Sequence, residues 1–576
     1  MFFQLPPNFG INTKNARAPK TNRKNPSIVE FEPSGAKVTA VPAVPKRIPE
    51  NSTFVAAELN PFSWLVGITS AYREILPIMS RLLYIAFDQL NRNYGVLKNA
   101  NPKTDAIVFV ESQRMLAAEK WHIQRLYFLI SSARHFAKDL ETEGFQVHYV
   151  KSENTKSGIL EVAKKIGISE ILAAEPSSFR LTKDLSESVK FIENDFFLTP
   201  RSQFANWASG YKKLLMENFY RSQRKKLNIL MAGDEPIGGR WNYDDENRES
   251  LPGANYKFSE YLTHEMDEID REVLAELNKS NLDLWGDQPE NTWATTRTGA
   301  LAQLNHFLKY NFAKFGPYED AMTTKNWAVH HSLLSPYLNN GLLHAEEVVE
   351  EVRKFIKKNE IPIQSVEGFI RQVIGWREYV NGIYWHFGDD YRNSNYWNGT
   401  GELPPLFDDP DKTEMSCLKN IVTDIKRRSW VHHIPRLMVI SNFAQLTQTS
   451  PQALLNWMRR VFIDATDWVM VPNVIGMSMN ADGGKMMSKP YLAGGSYISK
   501  MSNYCESCPF NPKLRTGKDA CPFTMLYWNF IDQNFETLVK NPRTARQVSG
   551  IKRLKDLDQI RIDSAEVINS IRVGKL

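Results

Sequence analysis

Four cysteines in the second half of the chain have the spacing of residues that bind a metal centre. They are the only cysteines among 576 residues: Cys417, Cys505, Cys508 and Cys521. A chain of this length with so few cysteines has no disulfide framework. Four thiolates suit zinc or an iron–sulfur cluster, and proline follows both Cys508 and Cys521, as in ferredoxin cluster runs. The pattern favours a 4Fe-4S cluster, while zinc and an isolated redox Cys-x-x-Cys remain alternatives.

Two adjacent histidines form a second candidate site. His432 and His433 lie within residues 430–436, between a tryptophan and an arginine. Imidazole titrates near neutral pH, so a histidine there can hold and transfer a proton in a reaction. A pair of structural histidines is the alternative interpretation. Further along, residues 473–484 are polar and contain several glycines, which predicts a loop.

The composition is that of an ordinary globular protein with a small excess of positive charge. Hydrophobic residues make up 42% of the chain, charged residues 24%, and the net charge is +6. This charge permits a polyanionic partner such as DNA but does not require one. No run of about 18 uncharged apolar residues is present, so we expect no membrane span.

The elements that position these sites begin with an α/β domain at residues 80–202, where short apolar segments alternate with helical periodicity. This alternation predicts a parallel, Rossmann-like sheet covered by helices. The predicted strands cover residues 82–87, 106–110, 146–150 and 171–174. Asp88 and Glu111 directly follow the first two strands, at the carboxyl ends where parallel sheets bind ligands.

Helical periodicity without strand signals dominates from about residue 290, and most of the 14 tryptophans lie there. We therefore predict an all-α domain at residues 291–545 and a carboxyl-terminal tail at 546–576. Residues 203–290 should form an interdomain helix, over 203–228, and a polar connector. Residues 1–79 are rich in proline and basic at their start, which indicates a disordered extension; an organelle-targeting segment would also be basic and poor in acids.

Taken together, these residues resemble the photolyase–cryptochrome superfamily, and within it the iron–sulfur bacterial branch that includes prokaryotic (6-4) photolyases. The resemblance covers roughly residues 80–540, and no single motif carries it. It rests on the order and spacing of the four cysteines and on these segments: Gly239-Arg240-Trp241-Asn242, His432-His433, Val474-Ile475-Gly476-Met477 and Tyr491-Leu492-Ala493-Gly494-Gly495-Ser496-Tyr497.

The resemblance implies a flavin in the helical domain and a second pigment in the α/β domain. FAD would be bound by Ser332, Leu334, Ser335, Trp376, Arg377, Arg436, Asp464, Asp467 and Gly476. Trp457 would carry electrons to the flavin, with Trp430 as an alternative carrier. A 6,7-dimethyl-8-ribityllumazine antenna would lie near Asp88 and Glu111, with the absence of any antenna pigment as the alternative. The four cysteines would hold the 4Fe-4S cluster.

The activity that the resemblance implies is the light-driven repair of UV-damaged DNA by a lyase. The lesion would be flipped out of the duplex, and reduced FAD would pass it one electron. His433 would transfer a proton with the support of His432, and Tyr491 and Tyr497 would line the lesion pocket. A basic segment would contact the DNA phosphates: Arg221, Arg224, Lys225 and Lys226.

A blue-light receptor of the cryptochrome type, with FAD but without repair, is the alternative function. Asp409 and Met458 stand where relatives tend to carry a tryptophan and a tyrosine of the electron relay, which keeps this alternative open. The histidine pair favours repair, because signalling needs no proton donor at a lesion. An iron–sulfur nucleic-acid protein without flavin is a third possibility. We expect a monomer in the cytoplasm, associated with the nucleoid; the choice between (6-4) products, which are favoured, and cyclobutane dimers stays open.

Overall fold

A five-stranded parallel sheet forms the core of the amino-terminal domain in the computed structural model, which describes residues 79–253 and 255–576. The strands are β1 (Arg81–Tyr84), β2 (Asp105–Ser112), β3 (Gln146–Ser152), β4 (Ile171–Ala174) and β5 (Lys190–Ile192). They lie in the order β3-β2-β1-β4-β5. Four of them match predicted strands. The fifth, β5, has only three residues, which is too short for an alternating apolar pattern to predict it. The predicted disordered extension falls outside the described residues.

Neighbouring strand residues pack on opposite faces of the sheet. Leu82 and Val108 belong to the core on one face, and Leu83 and Ile107 to the core on the other. All eight residues of β2 are buried, because helices cover both faces, as in doubly wound parallel sheets. The helices of this domain are Gln113–Leu116, Ile123–Thr142, Thr155–Ile166 and Phe179–Leu185. The predicted α/β fold class is confirmed.

Two helices follow the sheet where the sequence pattern predicts one. They span Arg201–Ser209 and Met216–Leu227, and the first ends at Gly210. The single helix predicted over residues 203–228 is therefore wrong. Apolar residues keep a helical spacing across the break, so periodicity alone does not reveal it. The connector continues with a hairpin (Met231–Ala232 and Glu235–Pro236) and the helix Glu268–Lys279.

The second domain is helical, as predicted. Its α-helices are Arg297–Tyr310, Phe312–Phe315, Ser335–Asn340, Ala345–Ile356, Ile363–Ile370, Arg377–Phe387, Ser416–Arg428, Asn442–Leu446, Pro451–Val461, Asp467–Val471, Gly495–Met501, Pro522–Gln533, Phe535–Leu538, Ala545–Val548 and Leu557–Arg572. Within the described part of the chain, no helix has both the length and the apolar character needed to cross a membrane.

Three wide, π-helical segments interrupt this domain. They span Arg371–Trp376, Pro435–Ser441 and Pro472–Ser478. Such segments are rare and occur frequently at functional sites. The last one corrects the loop predicted over residues 473–484, since the chain stays helical up to Ser478.

The carboxyl-terminal stretch belongs to the helical domain and is more than the predicted tail. Its helix Leu557–Arg572 packs on the helix Pro522–Gln533. Ile560 is fully buried in a small apolar cluster with Met525. Because Cys521 directly precedes the helix Pro522–Gln533, the carboxyl terminus supports the backbone beside one of the four cysteines.

Candidate functional site

The helical domain contains a large cavity that is partly open to solvent and has a mainly apolar wall. The structure brings these predicted residues together on its wall: Ser332, Leu334, Ser335, Trp376, Arg377, Trp430, His432, His433, Arg436 and Asp464. The residues expected at a flavin and those expected to transfer a proton therefore face one shared space.

Unusual backbone geometry shapes the wall of this cavity. Trp376 and Arg436 lie in two of the π-helical segments. Ser332 lies between two residues with left-handed backbone, Val329 (φ 52°) and Leu333 (φ 58°). For side chains of this size the conformation costs about 1–3 kcal/mol per residue, and such residues cluster at ligand clamps. We infer that the surrounding packing stabilises this segment to position the cavity wall.

A buried ion pair forms a polar part of the wall. The Arg436 guanidinium donates two hydrogen bonds to the Asp464 carboxylate, at 3.0 and 3.1 Å, and Ser335 donates a third at 2.7 Å. Both charged side chains are only 5% exposed. Burial alone would raise the pKa of Asp464, but the Arg436 charge and the Ser335 hydrogen bond lower it below its ordinary value. The carboxylate is therefore ionised.

Three histidines cluster on the same wall. The ring of His331 stacks on that of His432, with centroids 4.2 Å apart, and lies 5.4 Å from that of His433. Burial lowers the pKa of His331 to about 3 and holds the pKa values of His432 and His433 well below the ordinary value. All three imidazoles are therefore neutral at physiological pH, with one ring nitrogen each that can accept a proton.

Asp320 is a functional candidate for which the sequence gives no signal. Its Oδ1 atom lies 3.4 Å from Nε2 of His433, although the two residues are far apart in the chain. Burial raises the pKa of Asp320 to about 7, and the nearby Arg248 opposes the rise. Asp320 is therefore a buried acid that exchanges its proton near neutral pH, in contact range of the predicted proton donor.

Tyr491 and Tyr497 lie near Asp320 and are not part of the cavity wall. Burial raises the pKa values of both tyrosines, and the charge of Asp320 adds to the rise. The Tyr497 hydroxyl is buried and has no hydrogen-bond partner among the residues that the structure describes. The structure thus groups the predicted lesion-side residues around an acid that had not been expected there.

Three residues predicted near the flavin or its relay lie away from this wall. Asp467 accepts a hydrogen bond from Arg459 at 2.7 Å and faces another cavity. Gly476 fills a tightly packed position, where a side-chain carbon would collide with a neighbouring hydroxyl group. Trp457 is 1% exposed and donates a hydrogen bond to the backbone oxygen of Phe407 at 3.1 Å.

The four cysteines line a second, small cavity: Cys417, Cys505, Cys508 and Cys521. Two of them, Cys417 and Cys521, are buried, and the other two are partly exposed. Gly495 packs directly beside them, since a side-chain carbon there would lie 2.8 Å from the Cys521 sulfur. Among the described residues, no three cysteine sulfurs lie within 4.8 Å of one another.

A third cavity lies between the two domains. Asp88, beyond the carboxyl end of β1, lines it with Asp467 and with three arginines: Arg125, Arg180 and Arg459. Burial raises the pKa of Asp88, and a hydrogen bond with Ser177 opposes the rise. Glu111 is not on this wall, because Arg134 donates hydrogen bonds to it at 2.9 and 3.1 Å. The structure therefore separates the two acids predicted at an antenna pigment.

Comparisons with known proteins identify the family of the chain. Residues 83–293 match the sequence model of the family described as deoxyribodipyrimidine photo-lyase-related protein. The chain is 38% identical over 491 residues to a (6-4) photolyase of Agrobacterium fabrum, over 83% of this chain and 96% of that protein. The chain belongs to the photolyase-related family. An uncharacterized protein of Acanthamoeba polyphaga mimivirus is 34% identical over 99 residues, 17% of this chain and 73% of that protein. The crystal structure of a bacterial class III photolyase from Agrobacterium tumefaciens matches with a TM-score of 0.51 and 14% identity, over 88% of this chain and 98% of that chain, which supports the fold.

Membership of the photolyase-related family implies FAD, and the large cavity fits this cofactor. Several buried polar atoms of its lining have no hydrogen-bond partner in the described part of the chain, among them Nε1 of Trp376, Oε1 of Gln372 and Oδ1 of Asn473. Buried polar atoms are rarely left unpaired in proteins, and a flavin ring offers both donors and acceptors for them. Gln372 and Asn473 lie in π-helical segments, a feature that no sequence pattern reveals.

The basic segment expected to contact DNA is only partly accessible in this photolyase-related chain. Arg224 is fully buried and donates a hydrogen bond to the backbone oxygen of Trp241 at 2.9 Å, so its predicted phosphate contact is wrong. Arg221, Lys225 and Lys226 are exposed. The charges of Arg221 and Lys225 lie 5.4 and 5.7 Å from the ring centre of Trp241, which forms a basic and aromatic surface.

The change Asp464→Asn should destabilise the protein and reduce its flavin content. It leaves the Arg436 charge buried without a partner, which typically costs about 3–5 kcal/mol. We expect a decrease of that size in the free energy of unfolding and a loss of flavin absorbance per chain. Asp467→Asn is the matched control, since Asp467 faces the interdomain cavity. Equal flavin content in the two variants would contradict the assignment.

Proposed function

We propose that this protein uses light to repair (6-4) pyrimidine photoproducts in DNA, with FAD in the large cavity. The observation that carries the proposal is the position of His433: it faces the same cavity as the Arg436–Asp464 pair and has Asp320 against it. The 38% identity to a (6-4) photolyase over 96% of that protein supports the same substrate. The histidine and its acid favour repair over signalling, because a photoreceptor needs no proton donor at a lesion.

Reduced FAD, when bound, supplies the light-driven electron that opens the photoproduct. The residues of the chain bind and orient this cofactor. The Arg436–Asp464 pair and Ser335 would hydrogen-bond its polar groups, and the unpaired atoms of Trp376 and Asn473 would gain partners. The remaining wall is largely apolar, which keeps water from the reacting groups.

We assign proton transfer to the pair formed by His433 and Asp320. Opening the (6-4) adduct requires a proton to be delivered and later returned, a task for a general acid. His433 is neutral, so its Nδ1–H group can protonate the lesion while Asp320 supplies a proton to Nε2. His432 and the stacked His331 would fix the orientation of this ring. Tyr491 and Tyr497 would border the lesion beside Asp320.

The rate of repair should fall as the pH rises through about 7. The pKa of Asp320 is raised to about 7, so its proton is present below this pH and absent above it. Asp320→Asn should lower the rate by about 100-fold and remove this pH dependence. Single-turnover repair rates across the neutral range measure both effects.

Asp424→Asn is the control for this pH profile. Asp424 lies on the helix Ser416–Arg428, away from the cavity, and burial raises its pKa as well. We expect a wild-type profile from this variant. A wild-type protein whose repair rate does not change between pH values on either side of 7 would contradict the role of Asp320.

The DNA would bind across the surface formed by Arg221, Lys225, Lys226 and Trp241. The damaged nucleotides would be flipped out toward His433 and Asp320 at a cost of a few kcal/mol, which is lowest where the lesion has already broken the pairing. Phosphate contacts of this kind make affinity fall with salt concentration. We also propose that the protein is a monomer in the cytoplasm and associates with the nucleoid.

We further propose a 4Fe-4S cluster on the four cysteines. A tetrahedral zinc site, with Zn–S bonds of about 2.3 Å, places sulfurs about 3.8 Å apart. The wider spacing among the described cysteines supports a cluster over a single zinc ion. Because all four sulfurs share one cavity, an isolated redox pair is also disfavoured. The cluster would join the helices Ser416–Arg428 and Pro522–Gln533, which supports a structural role.

The interdomain cavity is the proposed site of the 6,7-dimethyl-8-ribityllumazine antenna. Asp88 would hydrogen-bond the pigment there, and the arginines would surround its polar groups. Asn339 and Asp464 line both this cavity and the flavin cavity. The two pigments would therefore lie close together, as the transfer of excitation energy requires.

The test of the proposed function is a repair assay with an oligonucleotide in which one (6-4) product blocks a restriction site. After treatment with photoreduced protein under blue light, the restriction enzyme should cut the oligonucleotide again. After the same treatment in the dark, it should not. A protein that holds reducible flavin but restores no cutting would contradict repair and favour the photoreceptor. A protein purified without flavin would contradict both functions and favour a nucleic-acid-binding role.

A further inference from the structure

A chain of aromatic rings joins the flavin cavity to the protein surface. Trp430 lines the cavity, and its ring centre lies 5.5 Å from that of Trp327. The Trp327 ring lies 5.0 Å from that of Tyr261, which is 37% exposed. Both separations are typical of aromatic rings in direct contact. Two contacts between oxidisable rings therefore connect the cavity with solvent.

Arginines lie beside both inner rings of this chain, and the Arg436 guanidinium is 5.8 Å from the Trp430 ring centre. The Arg428 guanidinium lies 5.2 Å from the Trp327 ring centre, which disfavours a lasting positive charge on that ring. Asp424 binds Arg428 at 2.6 Å and offsets part of this effect. Tyr261, at the outer end, can lose its phenol proton on oxidation and become a neutral radical, so Arg428 does not oppose its oxidation.

The alternative route through Trp457 lacks a continuous set of such rings. Trp457 contacts Phe407 and Phe462, with centroids 5.0 and 6.1 Å apart. Phenylalanine is much harder to oxidise than tryptophan or tyrosine, so it does not carry an electron by stepwise transfer. Within the described part of the chain, Trp457 contacts no tryptophan or tyrosine ring.

A third route leads from Trp376 to the surface but passes through an unfavourable ring. The ring centroids of Trp376 and Tyr379 are 6.2 Å apart, and those of Tyr379 and Trp207 are also 6.2 Å apart. The ring of Trp207 lies 5.0 Å from that of Tyr211. Tyr379 is fully buried, and its hydroxyl has no hydrogen-bond partner among the described residues. The phenol proton of Tyr379 therefore has no acceptor. Because that proton cannot leave, oxidation of Tyr379 would place an uncompensated positive charge in the protein interior.

We propose that Trp430, Trp327 and Tyr261 carry electrons, one at a time, from solvent to the flavin cavity. This inference rests on the proposed function and concerns how the flavin is reduced before repair. Trp430 gives one electron to the photoexcited, oxidised flavin, Trp327 restores Trp430, and Tyr261 restores Trp327 while its phenol proton passes to solvent. A thiol in solution then returns a hydrogen atom to the Tyr261 oxygen, and two oxidised thiols combine to a disulfide.

Flash photolysis of the flavin-loaded protein tests this route by the radicals it forms. Electron paramagnetic resonance after freeze-quenching should show a tyrosyl radical in the wild type and none in Tyr261→Phe. Transient absorption should show that Trp327→Phe loses the long-lived radical and recombines quickly. Trp207→Phe and Trp457→Phe are the matched controls, and both should keep the tyrosyl radical and the rate of photoreduction.

The outcomes separate this inference from the proposed function. Chemical reduction of the flavin bypasses the aromatic chain, so chemically reduced Trp327→Phe should repair DNA as the wild type does. If the chemically reduced wild type repairs nothing, the proposed function fails while the radical data still decide the route. Unchanged radicals in Tyr261→Phe and Trp327→Phe, or their loss in Trp457→Phe or Trp207→Phe, would overturn the inference. Tyr261→Phe removes only a hydroxyl from a partly exposed ring, so it stays informative if Trp327→Phe misfolds.

Discussion

His433→Ala should abolish repair of the (6-4) photoproduct while flavin stays bound. General acid catalysis by a positioned side chain contributes roughly 100- to 10,000-fold in rate, and we expect a loss in this range. His433 is 4% exposed and faces the cavity, but the Arg436–Asp464 pair and Ser335 form the polar contacts assigned to the flavin. Single-turnover repair by protein with reduced flavin measures the loss, and the flavin absorbance per chain shows that the cofactor remains.

Two further variants decide whether this loss reflects proton transfer. His433→Gln keeps a hydrogen-bonding side chain that cannot transfer a proton by titration, so it should lose repair as well. His344 is a buried histidine that caps the helix Ala345–Ile356, away from the cavity. His344→Ala should lose about 1 kcal/mol of stability and repair normally. Full repair by His433→Gln would show that the imidazole is not the proton donor.

Cys417→Ser or Cys521→Ser should remove the metal centre and prevent stable folding of the helical domain. Both sulfurs are buried in the cavity that all four cysteines line; Cys417 lies in the helix Ser416–Arg428, and Cys521 directly precedes the helix Pro522–Gln533. A structural metal centre contributes its binding free energy to folding, which is large compared with the stability of a domain. We expect about four irons per wild-type chain, and in the variants no iron and aggregation or a much lower melting temperature.

Met415→Leu is the matched control for the cysteine variants. Met415 lines the same cavity and is 1% exposed, but its thioether is not one of the four thiolates. A change of this kind conserves volume and typically costs less than about 1.5 kcal/mol, so iron content should stay at the wild-type level. About one zinc per wild-type chain, and no iron, would contradict the cluster.

The parts of the site that are local in sequence could be predicted. The Cys-x-x-Cys turn and the adjacent histidines are visible in the sequence, because their members are neighbours in the chain. The strands of the sheet were recognisable from apolar segments, and four of the five lie where the pattern places them. The flavin residues came from the resemblance, and most of them share one cavity wall.

The parts that depend on long-range packing could not be predicted. Asp320 contacts His433 only because the tertiary fold brings the two residues together. Neither the residue types nor their spacing in the sequence predicts this contact. Glu111 ends a strand as predicted, but its side chain binds Arg134 because periodicity does not say which partners face a strand end. Arg224 lies in a basic run, yet it faces inward and binds backbone oxygens. Charge patterns alone do not distinguish such an inward-facing arginine from its exposed neighbours.

The most direct test of light-driven (6-4) repair is a competition between two lesions in one illuminated sample. Oligonucleotides that carry a (6-4) product or a cyclobutane dimer are mixed with protein whose flavin is reduced, and mass spectrometry of the digested strands follows both. The account predicts that intact thymines replace the (6-4) product in light, that nothing changes in the dark, and that the cyclobutane dimer remains. Persistence of the (6-4) product after prolonged illumination of flavin-loaded, reduced protein would contradict the account.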